Sequence, residues 1–188
     1  IKAGAEKAGE EYDVEIRWQG PLREDNRAEQ IKVVETMTLR GVDGIVLAPL
    51  DESALQRPVE SAVKGGTPVV IIDSALQGDD FSSFIATDNY KGGELAARSL
   101  AESTGETGTV LVIRYQEGSA STMNREQGFI DVMKAEYPNM TVVGQDQYVG
   151  ATAAKAQPVI DTMLTRYQDS GLVGIFASNE SSGRAALL

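Results

Sequence analysis

The side chains able to do chemistry sit just past a series of short apolar runs. Gln19, Gly20 and Pro21 follow residues 14–18, and Pro49, Leu50 and Asp51 follow residues 44–48. Asp73 and Ser74 follow 69–72, and Thr87, Asp88 and Asn89 follow 83–86. Arg114, Tyr115, Gln116 and Glu117 follow 109–113, and Ser178, Asn179 and Glu180 follow 172–176. These are carboxylates, amides, hydroxyls and a guanidinium, groups that hydrogen-bond a polar ligand from both sides. Imidazole and thiol are missing altogether, because the 188 residues include no His and no Cys. Ser-His-Asp and Cys-His nucleophiles, thiolate redox chemistry and zinc sites built on Cys or His are therefore excluded. No metal site and no cofactor site is expected. Paired carboxylates stay open for acid–base work, but no spacing singles out a pair. Phosphate loops fail too: neither Gly-x-Gly-x-x-Gly nor Gly-x-x-x-x-Gly-Lys-Ser/Thr occurs.

Most of these residues have a plain structural reading. Asp51, ahead of Glu52-Ser53-Ala54-Leu55, reads as a helix N-cap, and Asp88 and Asn89 read as capping and turn residues. Trp18 continues the Val14 and Ile16 side of its run and reads as core. Asp73 differs, since residues 75–80 do not read as a helix start that it would cap. Arg125 falls in the first turn of an apparent helix, where a cation opposes the macrodipole. That placement favours a ligand, or an ion pair with Glu117 or Glu126.

The elements that must position these groups alternate between two periods. Apolar runs at 14–18, 44–48, 69–72, 83–86, 109–113, 141–143 and 172–176 read as strands. Most are continuous rather than alternating, as for strands covered on both faces. Between them lie helical stripes: Ala28, Ile31, Val34 and Met37; Leu95, Ala96, Ser99 and Leu100; Phe129, Val132 and Met133; Val159, Ile160, Met163, Leu164 and Tyr167. Pro158 falls inside the last stripe, so that helix starts near Gln157 or bends there. Strand–helix alternation of this kind specifies an α/β fold with doubly wound parallel sheets. The small polar joint at 103–108 is the expected domain boundary. Residues 1–11 read as a helix without the strand that should precede it, and the sequence stops inside another helix. A longer chain, truncated here at both ends, is expected.

Charge narrows the partners. With 17 basic and 28 acidic residues the net charge is −11, which disfavours nucleic acid and anionic membrane surfaces. No apolar run approaches the ~18–20 residues of a membrane span.

Several ordered stretches resemble type I periplasmic sugar-binding proteins of the ribose-binding kind. They are residues 38–51, ending Leu47-Ala48-Pro49-Leu50-Asp51; residues 66–73, ending in Asp73; residues 85–97; residues 114–129; and residues 175–180. The resemblance implies two Rossmann-like doubly wound lobes, 1–103 and 109–188, joined at a hinge crossing over 104–108, with a monosaccharide clamped between them. It implies a solute-binding component of an ABC importer rather than an enzyme. The partners it implies are a sugar and a permease or membrane sensor, and the location is periplasmic or extracellular, lipid-anchored or free. The ligand-sensing core of a lac-repressor-type regulator is the alternative. By the same resemblance Asp73 accepts sugar hydroxyls, Arg125 is a multi-pronged donor and Asn179 both donates and accepts. Ser74, Ser119 and Ser121 join them as weaker members, with Tyr148 weaker still. Ser74 stands where ribose binders of the family carry Arg, and Ala48 where they can carry Asn, so ribose itself is not implied.

Overall fold

The computed structural model describes residues 1–188 and contains two parallel, three-stranded sheets. In chain order the elements are α1 (Lys2–Tyr12), α2 (Arg27–Leu39), β1 (Ile45–Leu47), α3 (Gln56–Lys64), β2 (Val69–Ile72), β3 (Ser83–Ile85) and α4 (Asn89–Thr104). Then come β4 (Gly108–Ile113), α5 (Ala120–Glu136), β5 (Met140–Val143), α6 (Ala153–Tyr167), β6 (Leu172–Ala177) and α7 (Glu180–Ala186). The first sheet has the order β1-β2-β3 and the second β5-β4-β6. No helix is long and apolar enough to cross a membrane.

The second sheet is covered on both faces. Val110 and Val112 of β4 pack with Ala97 and Ala101 of α4 and with Phe129, Val132 and Met133 of α5. Leu111 and Ile113 point the other way, onto Ala156, Ile160 and Met163 of α6 and Ala185 of α7. A strand with helices on both sides must be apolar at every position, which is why residues 109–113 do not alternate. The Phe129 ring stacks on Phe176 with centroids 4.0 Å apart, fastening α5 to β6. α6 begins at Ala153 and runs through Pro158, so it starts earlier than the proline alone suggests.

The first sheet departs from expectation. α2 and α3 cover one face, burying Leu47, Val69 and Ile71 against Val34, Leu55 and Val59. On the other face Val46 and Ile85 are 67% and 63% exposed. α1 does not cover them; it packs on its own continuation, with Ile16 against Gly9 and the Val14 N–H on the Gly9 carbonyl at 2.9 Å. Residues 14–18, expected as a strand, form none. β1 has β2 as its one partner, and an apolar run becomes a strand only when a neighbour takes its backbone groups. Trp18, expected in the core, is accordingly 51% exposed.

α4 corrects a second expectation. Its buried residues are Gly93, Ala97 and Ala101, whereas Leu95 of the expected stripe is 58% exposed. Small residues let two helix backbones touch. A Cβ on Gly93 would run into the Arg125 carbonyl, and one on Gly128 into the Tyr90 carbonyl. α4 thereby shares a core with β4. The joint at 103–108 is a tight αβ turn, with Gly105 left-handed at φ 78° and the Glu106 N–H returning to the Ala101 carbonyl at 2.9 Å. The chain leaves the first sheet at residues 86–88.

Gly93→Ala should therefore destabilise the protein by about 1–3 kcal/mol or more, the usual cost of overpacking. Gly92→Ala is the control: its Cβ meets only Arg125 Cγ at 3.9 Å, and the better helix former should add up to ~1 kcal/mol. Urea unfolding of both variants checks this, and a Gly93→Ala midpoint equal to wild type would mean that α4 and α5 are not in backbone contact.

Candidate functional site

Two consecutive residues of α5 carry opposite charges to different tasks. Glu126 is 1% exposed. Its Oε1 accepts from the Tyr115 backbone N–H and from the Ser178 hydroxyl, both at 2.9 Å, and its Oε2 accepts from Arg114 Nε at 3.1 Å. The same guanidinium donates to the Gln145 carbonyl at 3.2 Å and the Tyr148 hydroxyl at 2.6 Å, and lies 4.2 Å from the centre of the Tyr148 ring. One carboxylate thus ties the C-terminal end of β4 to that of β6 and, through Arg114, to the loop after β5. Buried charge is tolerable only with such pairing and hydrogen bonding. Sequence reasoning had Glu126 only as a partner for Arg125.

Arg125 pairs with neither Glu117 nor Glu126. Its Nε donates to Asn89 Oδ1 at 2.9 Å and its Nη1 to the Ser178 carbonyl. Asn89, read from sequence as a capping or turn residue, is therefore part of this cluster. Asp88 keeps its plain role and caps α4 by accepting from the Lys91 N–H at 2.9 Å. Asn179 follows Ser178 and caps α7: its Oδ1 accepts from the Ser182 N–H at 3.1 Å and the Ser182 hydroxyl at 2.6 Å. That leaves the Asn179 amide nitrogen as its donor.

On the first sheet, Asp73 follows β2 with a left-handed φ of 66° and gives its N–H to the Ile85 carbonyl at 3.0 Å. Its carboxylate bonds no protein group, so both oxygens remain acceptors. A non-glycine residue held left-handed costs on the order of 1 kcal/mol, and such positions cluster at ligand sites. Next to it the buried Ser74 accepts at Oγ from the Ser121 N–H at 3.1 Å, a direct bond between the two halves of the molecule. Ser121 and Arg125 lie four apart on α5 and share a face. The five residues singled out from sequence are joined only in part. Ser74 touches Ser121, Arg125 holds the residue before Asn179, and the Asp73 side chain touches none of the others.

Asp51 caps no helix. It caps the turn ahead of α3, accepting from the Ser53 and Ala54 N–H groups at 2.9 and 2.8 Å, and pairs with Arg27 at 3.1 Å. Burial opposes its ionisation, but those N–H donors and the Arg27 charge outweigh it and lower its pKa. Gly118 fits against it at φ 86°, where a Cβ would strike the Asp51 carboxylate, and the Glu52 N–H meets the Gly118 carbonyl at 2.9 Å. Residues 24–27 extend this seam. The Tyr115 hydroxyl donates to Glu24 at 2.9 Å, Lys155 pairs with Asp25 at 2.8 Å, and Arg27 Nη2 donates to the Glu117 carbonyl at 2.7 Å. Burial, then the Glu24 carboxylate, push the Tyr115 pKa up.

Comparison with known proteins gives one answer. The family model for the periplasmic binding protein domain matches residues 1–188. The ribose import binding protein RbsB of Bacillus subtilis is 28% identical over 187 residues, covering 100% of this chain and 59% of that protein. The D-ribose/D-allose-binding protein of Pseudomonas aeruginosa is 32% identical over 182 residues, covering 92% and 54%. A crystal structure of an ABC transporter solute binding protein from Agrobacterium vitis, bound with alpha-D-tagatopyranose, matches with a TM-score of 0.90 at 32% identity, covering 98% of this chain and 64% of that one. This chain spans between about half and three fifths of the length of the curated relatives it matches.

The seam also makes a pH prediction. Hydrogen bonds from Arg23 and Lys155 hold the Asp25 pKa at about 2, below its ordinary 3.8. A depressed carboxylate stabilises the fold above its unfolded pKa, and the contribution is lost as pH falls through the folded value. The difference in urea midpoint between wild type and Asp25→Asn should be constant above about pH 4 and shrink toward about pH 2. A difference that stays unchanged across that window would show that Asp25 is not paired.

Proposed function

This chain belongs to the periplasmic binding protein domain family, and from that premise we propose that the full-length protein is the solute-binding component of a sugar ABC importer. It holds one monosaccharide between two hinged lobes, outside the cytoplasmic membrane, and delivers it to a permease without turning it over. The observation that carries this reading is that Asp73, Ser74, Ser121, Arg125 and Asn179 all follow the C-terminal ends of strands β2, β4 and β6, with Ser74 bonded to Ser121 and Arg125 to the Ser178 carbonyl. Ligands of open α/β sheets bind beyond those ends. A neutral polyol needs a donor and an acceptor at each hydroxyl. Asp73 supplies two free acceptor oxygens. Arg125 has five N–H donors, two of them committed to Asn89 and Ser178, so three remain for the sugar. Asn179 contributes its amide.

The relatives support this class of ligand. Curated ones are named for ribose and for D-ribose and D-allose, and related structures at 32% and 36% identity hold D-arabinose, alpha-D-tagatopyranose and D-fucose. Relatives named as import binding proteins favour the importer over the regulator. Closure brings the first sheet with α2 and α3 against the second sheet with α4 to α7. The pivot is residues 86–88 rather than the expected joint at 104–108, because α4 is packed into the second core.

Calorimetry on the full-length protein with D-ribose, D-allose, D-fucose and D-tagatose tests the proposal. At least one should bind with micromolar or tighter affinity. Asp73→Ala and Arg125→Ala should each weaken binding on the order of 100-fold, the effect of deleting a charge-assisted hydrogen bond in a closed site. No binding of any of the four by folded protein, or full affinity in Asp73→Ala, would overturn it.

A further inference from the structure

We propose that Glu126 is a positioning residue for Arg125 and Asn179, acting through Ser178; its functional half rests on the sugar-binding reading above. Ser178 is buried and is held from two sides by neighbouring residues of α5. Glu126 Oε1 accepts from the Ser178 hydroxyl at 2.9 Å, while Arg125 Nη1 donates to the Ser178 carbonyl. The peptide between β6 and Asn179 is therefore clamped by α5, and the clamp sets two outward groups together. Arg125 takes its direction from the Ser178 carbonyl and from Asn89. Asn179 takes its place from the residue before it. If Ser178 shifts, Arg125 loses an acceptor and Asn179 is no longer fixed relative to it.

Holding the sheet together is not what this carboxylate is needed for. β4 and β6 are already in register through Ile113 opposite Ala177, and α5 is already anchored by Phe129, Val132 and Met133. Glu126 acts one residue beyond that ladder, where the strands end and the polar groups begin. Its charge matters as well as its shape. Oε1 serves the Tyr115 N–H and the Ser178 hydroxyl while Oε2 serves Arg114. A glutamine of the same shape has a single acceptor oxygen. It keeps either the strand ends or Arg114 and turns an N–H toward the other.

The test uses the full-length protein as wild type, Glu126→Gln, Ser178→Ala and the double variant. Hydrogen–deuterium exchange should rise at least tenfold over residues 178–182 in both single variants and stay unchanged over 156–163 of α6. In titrations with D-ribose, D-allose, D-fucose and D-tagatose, any sugar bound by wild type should bind roughly tenfold more weakly to Glu126→Gln. The double variant should lose no more than Glu126→Gln alone, because both changes remove one linkage. Unchanged exchange over 178–182 overturns the proposal. So does raised exchange with unchanged affinity, and so do additive losses in the double variant. If wild type binds none of the four sugars, the sugar reading falls while the exchange data still decide whether Glu126 fixes Ser178. Ser178→Ala keeps the test decisive should Glu126→Gln fail to fold.

Discussion

A single buried carboxylate governs how the polar half of this molecule is organised. Moving an ion out of water costs several kcal/mol even after relaxation, and Glu126 offsets that cost with three donors from two places in the chain, Arg114 and Tyr115 after β4 and Ser178 after β6. An apolar side chain there would pack well and satisfy nothing. The Tyr115 N–H and the Ser178 hydroxyl would then be buried without partners at the two points where β4 and β6 stop. With those groups satisfied internally, the next residues along each strand are free to face outward.

The two halves meet through a seam of a different character. Inside each half the core is apolar: α4 and α5 pack on Val110 and Val112, α2 and α3 on Val69 and Ile71. Across the seam they are hydrogen bonds and ion pairs, Ser74 with Ser121, Glu52 with Gly118, Arg27 with Glu117, Glu24 with Tyr115 and Asp25 with Lys155. Polar contacts near the surface can be exchanged for water at small net cost, whereas an apolar core cannot. The halves are thus internally stiff, and the contacts between them are of the kind that water can replace.

Much of this was legible in the sequence because parallel strands buried on both faces leave unbroken apolar runs. Residues 109–113 fall in place for that reason, while 69–72 keep an unbroken run although only Val69 and Ile71 are fully buried. Asp73 stood out because it had no capping role, and the structure adds its left-handed backbone. What stayed hidden depends on distance along the chain. Asn89 meets Arg125 from 36 residues away and Glu126 meets Ser178 from 52 away, and no local pattern announces such pairs. Residues 14–18 have the right composition for a strand but no ladder partner. The stripe on α4 was misread because hydrophobic periodicity looks for bulk, and Gly93, Ala97 and Ala101 mark the face by lacking it.

That missing bulk has a mechanical meaning. Gly93 receives the carbonyl of Arg125 and Gly128 receives that of Tyr90, so each helix lodges a backbone tooth in the other's notch. A slide of one residue along the axis would push those teeth onto side chains, so the joint cannot creep; it holds or it disengages. Arg125 rides on one side of this cog and Asn89 on the other. Their spacing is therefore set by meshed backbone, which thermal motion of side chains does little to blur.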